Sequence, residues 1–293
     1  MIKSGFVSIV GRPNSGKSTL LNRLVGEKVS IVTEKPQTTR HVVRGIVTRS
    51  EGQITFLDTP GIHKPIHRMN ERMMQSVRNA MSDVDLIVLM ADASSVFGRG
   101  DEFTLNLLKP VTTKKLLLLN KIDRIEKKTL LPLMDHYSLS GNFEEIIPIS
   151  ALTGENVEDL VKVLFKYLSE GPMFYPEDQI SDQPERAIAA EMVREKLIVL
   201  TEEEMPYSTA VVVDQFEEGE KLHRICASIF VERESQKAIV IGKGGQKLKE
   251  VGSEARRDLE SFFGRKVFLE LHVKVKKNWR DDEETLRALG LSG

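Results

Sequence analysis

Apolar residues in the first half of the chain come in short unbroken runs: Phe6–Val10, Ile54–Leu57, Leu86–Met90, Leu116–Leu119 and Ile146–Ile149. Each is followed by a polar loop and then by apolar positions three and four apart. That order predicts βα units on a mostly parallel sheet. One connection breaks the alternation. Val42–Arg49 and Gln53–Leu57 are split only by Ser50-Glu51-Gly52, which predicts a hairpin and hence one antiparallel edge strand. Met69, Met73, Met74, Val77 and Met81 follow helical spacing and predict a core-packing face.

The pattern stops after a helix near Val157–Leu168. A breaker-rich stretch, 171–184, holds three prolines and reads as a linker. Beyond it the predicted order is helix (Glu185–Leu200), strand (Ser208–Phe216), strand (Arg224–Glu232), helix, Gly-rich turn, helix (Gln246–Phe263) and strand (Lys266–Lys276). This is a smaller α+β domain with about three strands. The expected organisation is an α/β domain over 1–170, the linker 171–184, an α+β domain over 185–280, and a helical tail over 281–293.

Composition changes this picture in two places. The net charge is −1, yet residues 233–280 carry 13 Lys and Arg against 6 Asp and Glu. An acidic body with a basic C-terminal region suits a protein that meets polyanions through one domain. The single cysteine, Cys226, excludes an intramolecular disulfide and fits a reducing compartment. No apolar run reaches membrane-span length and the N-terminus reads as a strand rather than a signal peptide, so the expected location is the cytoplasm. The six histidines show no metal-ligand spacing, so no zinc site is expected.

Three motifs in the α/β half carry chemistry. Gly11-x4-Gly16-Lys17-Ser18 lies between a strand and a helix, the setting in which backbone N–H groups and a helix N-terminus cradle phosphates. Lys17 reaches the β/γ oxygens and the Ser18 hydroxyl is a Mg²⁺ ligand. Asn14, Ser15 and Thr19 belong to the same loop and helix start. Asp58-Thr59-Pro60-Gly61 closes a strand, where Asp58 can hold Mg²⁺ through water and the Gly61 N–H can meet a γ-phosphate. Asn120-Lys121-Ile122-Asp123 closes another. The Asp123 carboxylate can accept from the ring N–H and amine of guanine, a pair of donors adenine lacks. Lys121 would lie along the base and Asn120 would tie loops together. Ser150-Ala151 offers a backbone N–H to the guanine carbonyl. The polar stretch Thr33–Arg40 suits a loop ordered by γ-phosphate and Mg²⁺, with Thr39 as the metal ligand and Thr38 as the alternative.

In the second half, Gly242-Lys243-Gly244-Gly245 is a Gly-x-x-Gly turn between two helical segments, the form that clamps about four unpaired nucleotides. Lys243, Lys247, Lys249, Lys276 and Arg280 are candidate phosphate contacts, and Trp279 a candidate stacking platform.

The nucleotide motifs resemble the translation-factor-related class of GTPases. With the downstream half, the whole chain is similar to the Era family, bacterial GTPases with a C-terminal KH domain. The resemblance implies a P-loop GTPase domain followed by a type II KH domain, GTP/GDP and Mg²⁺ as ligands, and hydrolysis in which Lys17, Thr39 and Gly61 take part. It implies binding to the 3′ end of small-subunit ribosomal RNA, a role in small-subunit assembly and rRNA maturation, a monomer, and peripheral contact with the inner membrane surface. The residue after Gly61 is Ile62, which cannot orient a water as the glutamine of many small GTPases does. In some relatives an asparagine at the place of Asn14 helps hold K⁺, so K⁺ is a candidate activator. A competing reading is an RNA-binding module whose nucleotide domain stays loaded and does not switch.

Overall fold

The computed structural model describes residues 2–201 and 205–291. Its elements, in chain order, are β1 (Lys3–Gly11), α1 (Lys17–Val25), β2 (Val43–Arg49), β3 (Gly52–Asp58), α2 (Arg68–Ser82), β4 (Leu86–Asp92), α3 (Arg99–Leu108), β5 (Lys115–Asn120), α4 (Leu130–Ser140), β6 (Glu145–Pro148) and α5 (Val157–Tyr167), then α6 (Glu185–Leu200), α7 (Met205–Ser208), β7 (Ala210–Glu217), β8 (Leu222–Val231), α8 (Glu234–Ile241), α9 (Gln246–Phe263), β9 (Lys266–Val275) and α10 (Glu283–Ala288).

The chain divides into two compact units. The first comprises Met1–Ser30, Thr39–Pro65 and Met73–Asp182, the second Ile31–Thr38, Ile66–Arg72 and Gln183–Gly293.

In the first unit a six-stranded sheet runs in the order β2-β3-β1-β4-β5-β6. Only β2 is antiparallel to its neighbour. Helices cover both faces. Leu20, Leu21 and Leu24 of α1 and Leu160, Leu164 and Phe165 of α5 pack on one side. Met74, Val77 and Met81 of α2 and Leu105 and Leu108 of α3 pack on the other. Burial on both faces explains why β4 and β5 are apolar from Leu86 to Ala91 and from Leu116 to Leu119 instead of alternating. All five residues of the methionine-rich stripe are buried, as their spacing predicts.

The stretch expected as a linker behaves differently up to Asp182. It lies along β2 and β3: the Gln53 side chain accepts from the Phe174 and Tyr175 N–H groups and donates to the Tyr175 carbonyl, while Ile46 N–H donates to Ile180 O at 2.9 Å. Arg44 pairs with Asp182 at 2.7 Å. A strand edge with unpaired backbone groups is thereby covered. The proline content that suggested a free linker serves an extended cover.

The second unit is built on a three-stranded sheet, β7-β8-β9, with β7 antiparallel and β9 parallel to β8. One face packs against α6, α8 and α9, burying Val193, Leu197, Ile225, Ile229, Val240, Val251 and Leu259. The opposite face mixes polar side chains such as Arg224, Glu270, His272 and Lys274 with Leu222 and Phe268. Segment 31–38 is fastened to α6: Glu195 accepts from Val32 N–H at 3.1 Å, and Arg194, itself paired with Glu191, donates to the Thr38 carbonyl. Arg68 and Arg72 both pair with Glu283 of α10. The expected tail helix is shorter than 281–293, spanning Glu283–Ala288, and positions 292–293 lie outside the described residues.

Candidate nucleotide site and candidate RNA surface

β1 delivers the loop 11–16 and α1 begins at Lys17, so the first residues of the helix face the loop. Gly16 stands at φ 101°, and a Cβ there would come 2.3 Å from the Asn120 amide nitrogen, so only glycine fits. Lys17 folds back over the loop, its ammonium donating to Arg12 O at 2.9 Å and Gly11 O at 3.2 Å. Burial lowers its pKa to about 8, against the opposing pull of the Asp58 carboxylate. The ammonium is thus held ready among backbone carbonyls that a phosphate oxygen would replace as partners. Asn14 occupies a left-handed conformation at φ 62° on the exposed part of the loop.

At the end of β3, Asp58 is fully buried. Ser18 Oγ donates to Asp58 Oδ2 at 2.6 Å, Ser30 Oγ donates to the same oxygen at 3.0 Å, and Thr39 Oγ1 lies 2.9 Å from Ser18 Oγ. Asp58 Oδ1 has no hydrogen-bond partner among the described residues. Burial pushes the Asp58 carboxyl above its ordinary range, with Lys17, Ser18 and Ser30 pulling it down. A cluster of three hydroxyls and a carboxylate with one orphaned oxygen is an all-oxygen donor set of the kind a hard divalent cation takes. The residues therefore fit Mg²⁺. Between the two threonines left open by the sequence, geometry selects Thr39. The Thr38 hydroxyl is used locally, bonded to Thr33 Oγ1 and Lys35 O at 2.7 Å each.

Gly61 lies against the phosphate loop, where a Cβ would meet Pro13 N at 2.7 Å. Ile62 donates its N–H to Gly11 O at 2.9 Å and buries its side chain in the core beside Val10 and Met74. Its side chain is a core element, which is a stronger reason than its lack of polar atoms for the absence of a water-orienting group there.

The base-reading loops are joined by Asn120, which is buried at the end of β5. Its amide donates to Ser15 O at 2.7 Å and its oxygen accepts from Ala151 N–H at 2.8 Å. The Ala151 N–H, expected to meet a guanine carbonyl, is bonded to Asn120 in this structure. Lys121, at φ 68°, pairs with Asp92 at 2.6 Å. Asp123 is exposed, with one oxygen accepting from Ser150 Oγ at 2.5 Å. Thr19 sits in the first turn of α1. Three residues of this site escaped sequence reasoning. Ser30 and Asp92 lie in no motif. Asn22 fixes Ser30 by accepting from the Val29 and Ser30 N–H groups and donating to Ser30 O. No local signal distinguishes them from ordinary polar residues.

In the second unit, Gly242, Gly244 and Gly245 have φ of 72°, 59° and 80° and lead into α9. A Cβ at Gly242 would come 2.6 Å from Lys247 Cβ, whereas Gly244 and Gly245 face open space. Gly244 therefore meets a conformational demand, not a steric one. Lys243 and Lys249 are exposed, and Lys247 pairs with Glu250 at 3.3 Å. Further along, one expected contact is corrected, that of Trp279, and two expected phosphate contacts stand in ion pairs. Trp279 is fully buried and donates its indole N–H to Ser208 O at 2.9 Å, so neither ring face is offered to a base. Arg280 is held in a forked pair by Glu232, with bonds of 2.6 and 3.1 Å. Lys276 pairs with Asp282 at 2.8 Å. These cations close the end of β9 onto acidic neighbours. No helix among the described residues is long and apolar enough to cross a membrane.

A family described as 50S ribosome-binding GTPase matches residues 6–121, and a KH domain family matches residues 204–280. The chain is 51% identical over 289 residues to the GTPase Era of Staphylococcus haemolyticus, covering 98% of this chain and 97% of that protein. It is similar, with TM-score 0.96, 44% identity and full coverage of both chains, to a crystal structure of Era in complex with MgGDPNP and nucleotides 1506–1542 of 16S ribosomal RNA. A crystal structure of an Aquifex aeolicus Era variant bound to GDP·AlF4⁻ matches with TM-score 0.95 and 44% identity, again over the full length of both.

Proposed function

The chain belongs to the Era family of GTPases, and on that premise we propose that it is a GTP-driven switch that holds the single-stranded 3′ end of small-subunit ribosomal RNA. It hydrolyses GTP to GDP and phosphate. Its place is small-subunit assembly and rRNA maturation, in the cytoplasm, as a monomer with peripheral contact to the inner membrane surface.

Each residue takes a role its surroundings support. Lys17 exchanges the carbonyls of Gly11 and Arg12 for β/γ-phosphate oxygens. Gly61, pressed on Pro13, offers its N–H where a γ-phosphate would stand. Ser18, Thr39 and Asp58 would hold Mg²⁺, which would supply positive charge against that developing on the phosphate. Asp123, steadied by Ser150, accepts from guanine. Asn120 keeps phosphate loop and base loop at fixed separation. Asn14 is the candidate partner of K⁺. Gly242–Gly245 admits an RNA backbone close to the chain, and exposed Lys243 and Lys249 meet its phosphates.

The observation that carries the switch is the division of labour between adjacent residues. The Thr39 hydroxyl lies 2.9 Å from Ser18 Oγ in the Mg²⁺ cluster, while the Thr38 carbonyl is gripped by Arg194 of α6. We infer that a change in what Thr39 binds is felt at Thr38, the next residue of the chain.

The test is binding of a labelled single-stranded rRNA 3′ end to the GTP-analogue, GDP and nucleotide-free states at fixed salt. Tighter binding in the GTP-like state is expected, and linkage then requires RNA to favour GTP in return. Equal affinity in all three states would overturn the switch. Lys243→Ala and Lys249→Ala should each flatten the dependence of log K on log salt by roughly 0.7.

A further inference from the structure

The polar face of the three-stranded sheet carries chemistry that neither the nucleotide nor the RNA motif uses. β8 and β9 run parallel with Cys226 opposite Glu270 and Ser228 opposite His272. Side chains alternate between faces along a strand, so Cys226, Glu270 and His272 share the face turned away from Ile225, Ala227 and Val267 of the core. A ligand atom of each, the Cys226 sulfur, a Glu270 carboxylate oxygen and a His272 ring nitrogen, lies within 4.8 Å of the other two. His272 Nε2 is 3.1 Å from Glu270 Oε1. Among the described residues no other three His, Cys, Asp or Glu side chains converge in this way.

We propose that Cys226, Glu270 and His272 form a binding site for one divalent ion of the Zn²⁺ type, with the fourth position open to water. The donor set decides the ion. A thiolate and an imidazole suit Zn²⁺, whereas Mg²⁺ takes oxygen ligands, so the Mg²⁺ of the nucleotide site does not compete here. Three protein ligands and an open position are also what separates a reactive zinc site from a closed structural one. Bonds of about 2.0–2.3 Å place tetrahedral ligand atoms roughly 3.5 Å apart. Rotation of the exposed Glu270 and His272 side chains covers that difference while the β8–β9 ladder stays fixed.

The neighbours are already committed. Asp214 of β7 accepts from Ser228 Oγ at 2.5 Å and lies 3.7 Å from Lys274 Nζ. Burial, then the Glu270 and Asp214 carboxylates, raises the pKa of the Cys226 thiol, so it meets the ion protonated. Forming the metal–sulfur bond releases that proton to water, and Glu270 and His272 exchange their mutual contact for the ion.

The test uses the full-length protein, GDP-loaded in excess Mg²⁺, titrated with Zn²⁺ by calorimetry and with Co²⁺ by absorbance. One equivalent of Zn²⁺ should bind, and Co²⁺ should show a thiolate-to-metal charge-transfer band. Cys226→Ser should abolish that band and weaken Zn²⁺ by at least about tenfold, and His272→Ala should weaken it as much, with GTP hydrolysis unchanged in both. Should Cys226→Ser fold poorly, Glu270→Gln, an exposed substitution that leaves the core untouched, should weaken Zn²⁺ by at least about tenfold while the thiolate band stays. The proposal is overturned if the wild-type protein takes up no Zn²⁺ in Mg²⁺ excess, if the variants bind it as tightly as the parent, or if bound Co²⁺ shows only all-oxygen octahedral bands.

Discussion

The Asn120 side chain donates to the Ser15 carbonyl at 2.7 Å and joins two loops 105 residues apart in the chain. Its other end holds the Ala151 N–H. Asn120→Ala strands both groups in a buried place, a cost of about 1–3 kcal/mol each way a partner is lost. GDP affinity should fall at least about tenfold and the thermal midpoint should drop with it. Unchanged GDP affinity by calorimetry would show that the loops hold their positions without this tie.

Thr39 and Thr38 are chemically alike and adjacent, but only the Thr39 hydroxyl reaches Ser18, which is itself bonded to Asp58. Thr39→Ala should lose one contact to a charged centre, about 2 kcal/mol, or roughly thirtyfold in Mg²⁺-dependent GTP hydrolysis. Thr38→Val removes only hydroxyl bonds to Thr33 and Lys35 and should keep the rate within a few-fold. Equal losses from the two would remove the distinction.

Ile62 is 2% exposed, packed with Val10 and Met74. Replacing it by glutamine buries an amide without a partner, so Ile62→Gln should destabilise the first unit by about 2 kcal/mol in urea. It should not raise the hydrolysis rate. A faster variant would mean that the side chain reaches the nucleotide.

Arg194 is 1% exposed on α6, held by Glu191 and the Thr38 carbonyl. Removing the guanidinium takes a buried ion pair from Glu191 and a hydrogen bond from the Thr38 carbonyl. Arg194→Met should therefore cost about 3 kcal/mol in denaturant unfolding. Arg194→Lys should recover only part of this, because an ammonium lacks the planar fork that serves both partners.

Trp279 separates a core role from a stacking role. Trp279→Phe keeps an aromatic ring but takes the indole donor from Ser208 O, and should cost about 1–3 kcal/mol of stability. RNA affinity of the folded variant, measured well below its melting point, should match the parent. A stacked base would instead lose about 1–3 kcal/mol of binding on Trp279→Ala beyond any loss of folded protein.

Much of this protein is legible in one dimension because the determining interactions are local or periodic. The continuous apolar runs of β4 and β5 announce strands buried on both faces, and α6 and α9 begin and end where the pattern says, Glu185–Leu200 and Gln246–Phe263. Gly16 and Gly242 are visible as glycines in motifs, and their geometry explains why nothing larger fits. The phosphate loop needs only the spacing of a strand end and a helix start, so its chemistry could be named before its shape was known.

The remaining features depend on which side chains from distant elements meet. Composition showed Trp279 and Arg280 beside lysines in a basic stretch. Folding buries the indole against Ser208 and gives the guanidinium to Glu232, because the end of β9 must satisfy its polar groups against whatever packs on it. The stretch 171–182 is rich in breakers, yet a bare strand edge and the Gln53 amide recruit it as cover. Cys226 and His272 show no ligand spacing in sequence, and the parallel register of β8 and β9 alone makes them neighbours.

By itself, then, the sequence determined the two fold classes, the nucleotide motifs and the Gly-x-x-Gly turn, all set by spacing along a chain of known backbone geometry. Only the tertiary structure decided between Thr38 and Thr39, placed Ile62 and Trp279 in the core, gave the Ala151 N–H to Asn120, and brought Cys226, Glu270 and His272 onto one face. Those outcomes turn on burial and on competition for hydrogen-bond partners, which exist only once the chain has folded.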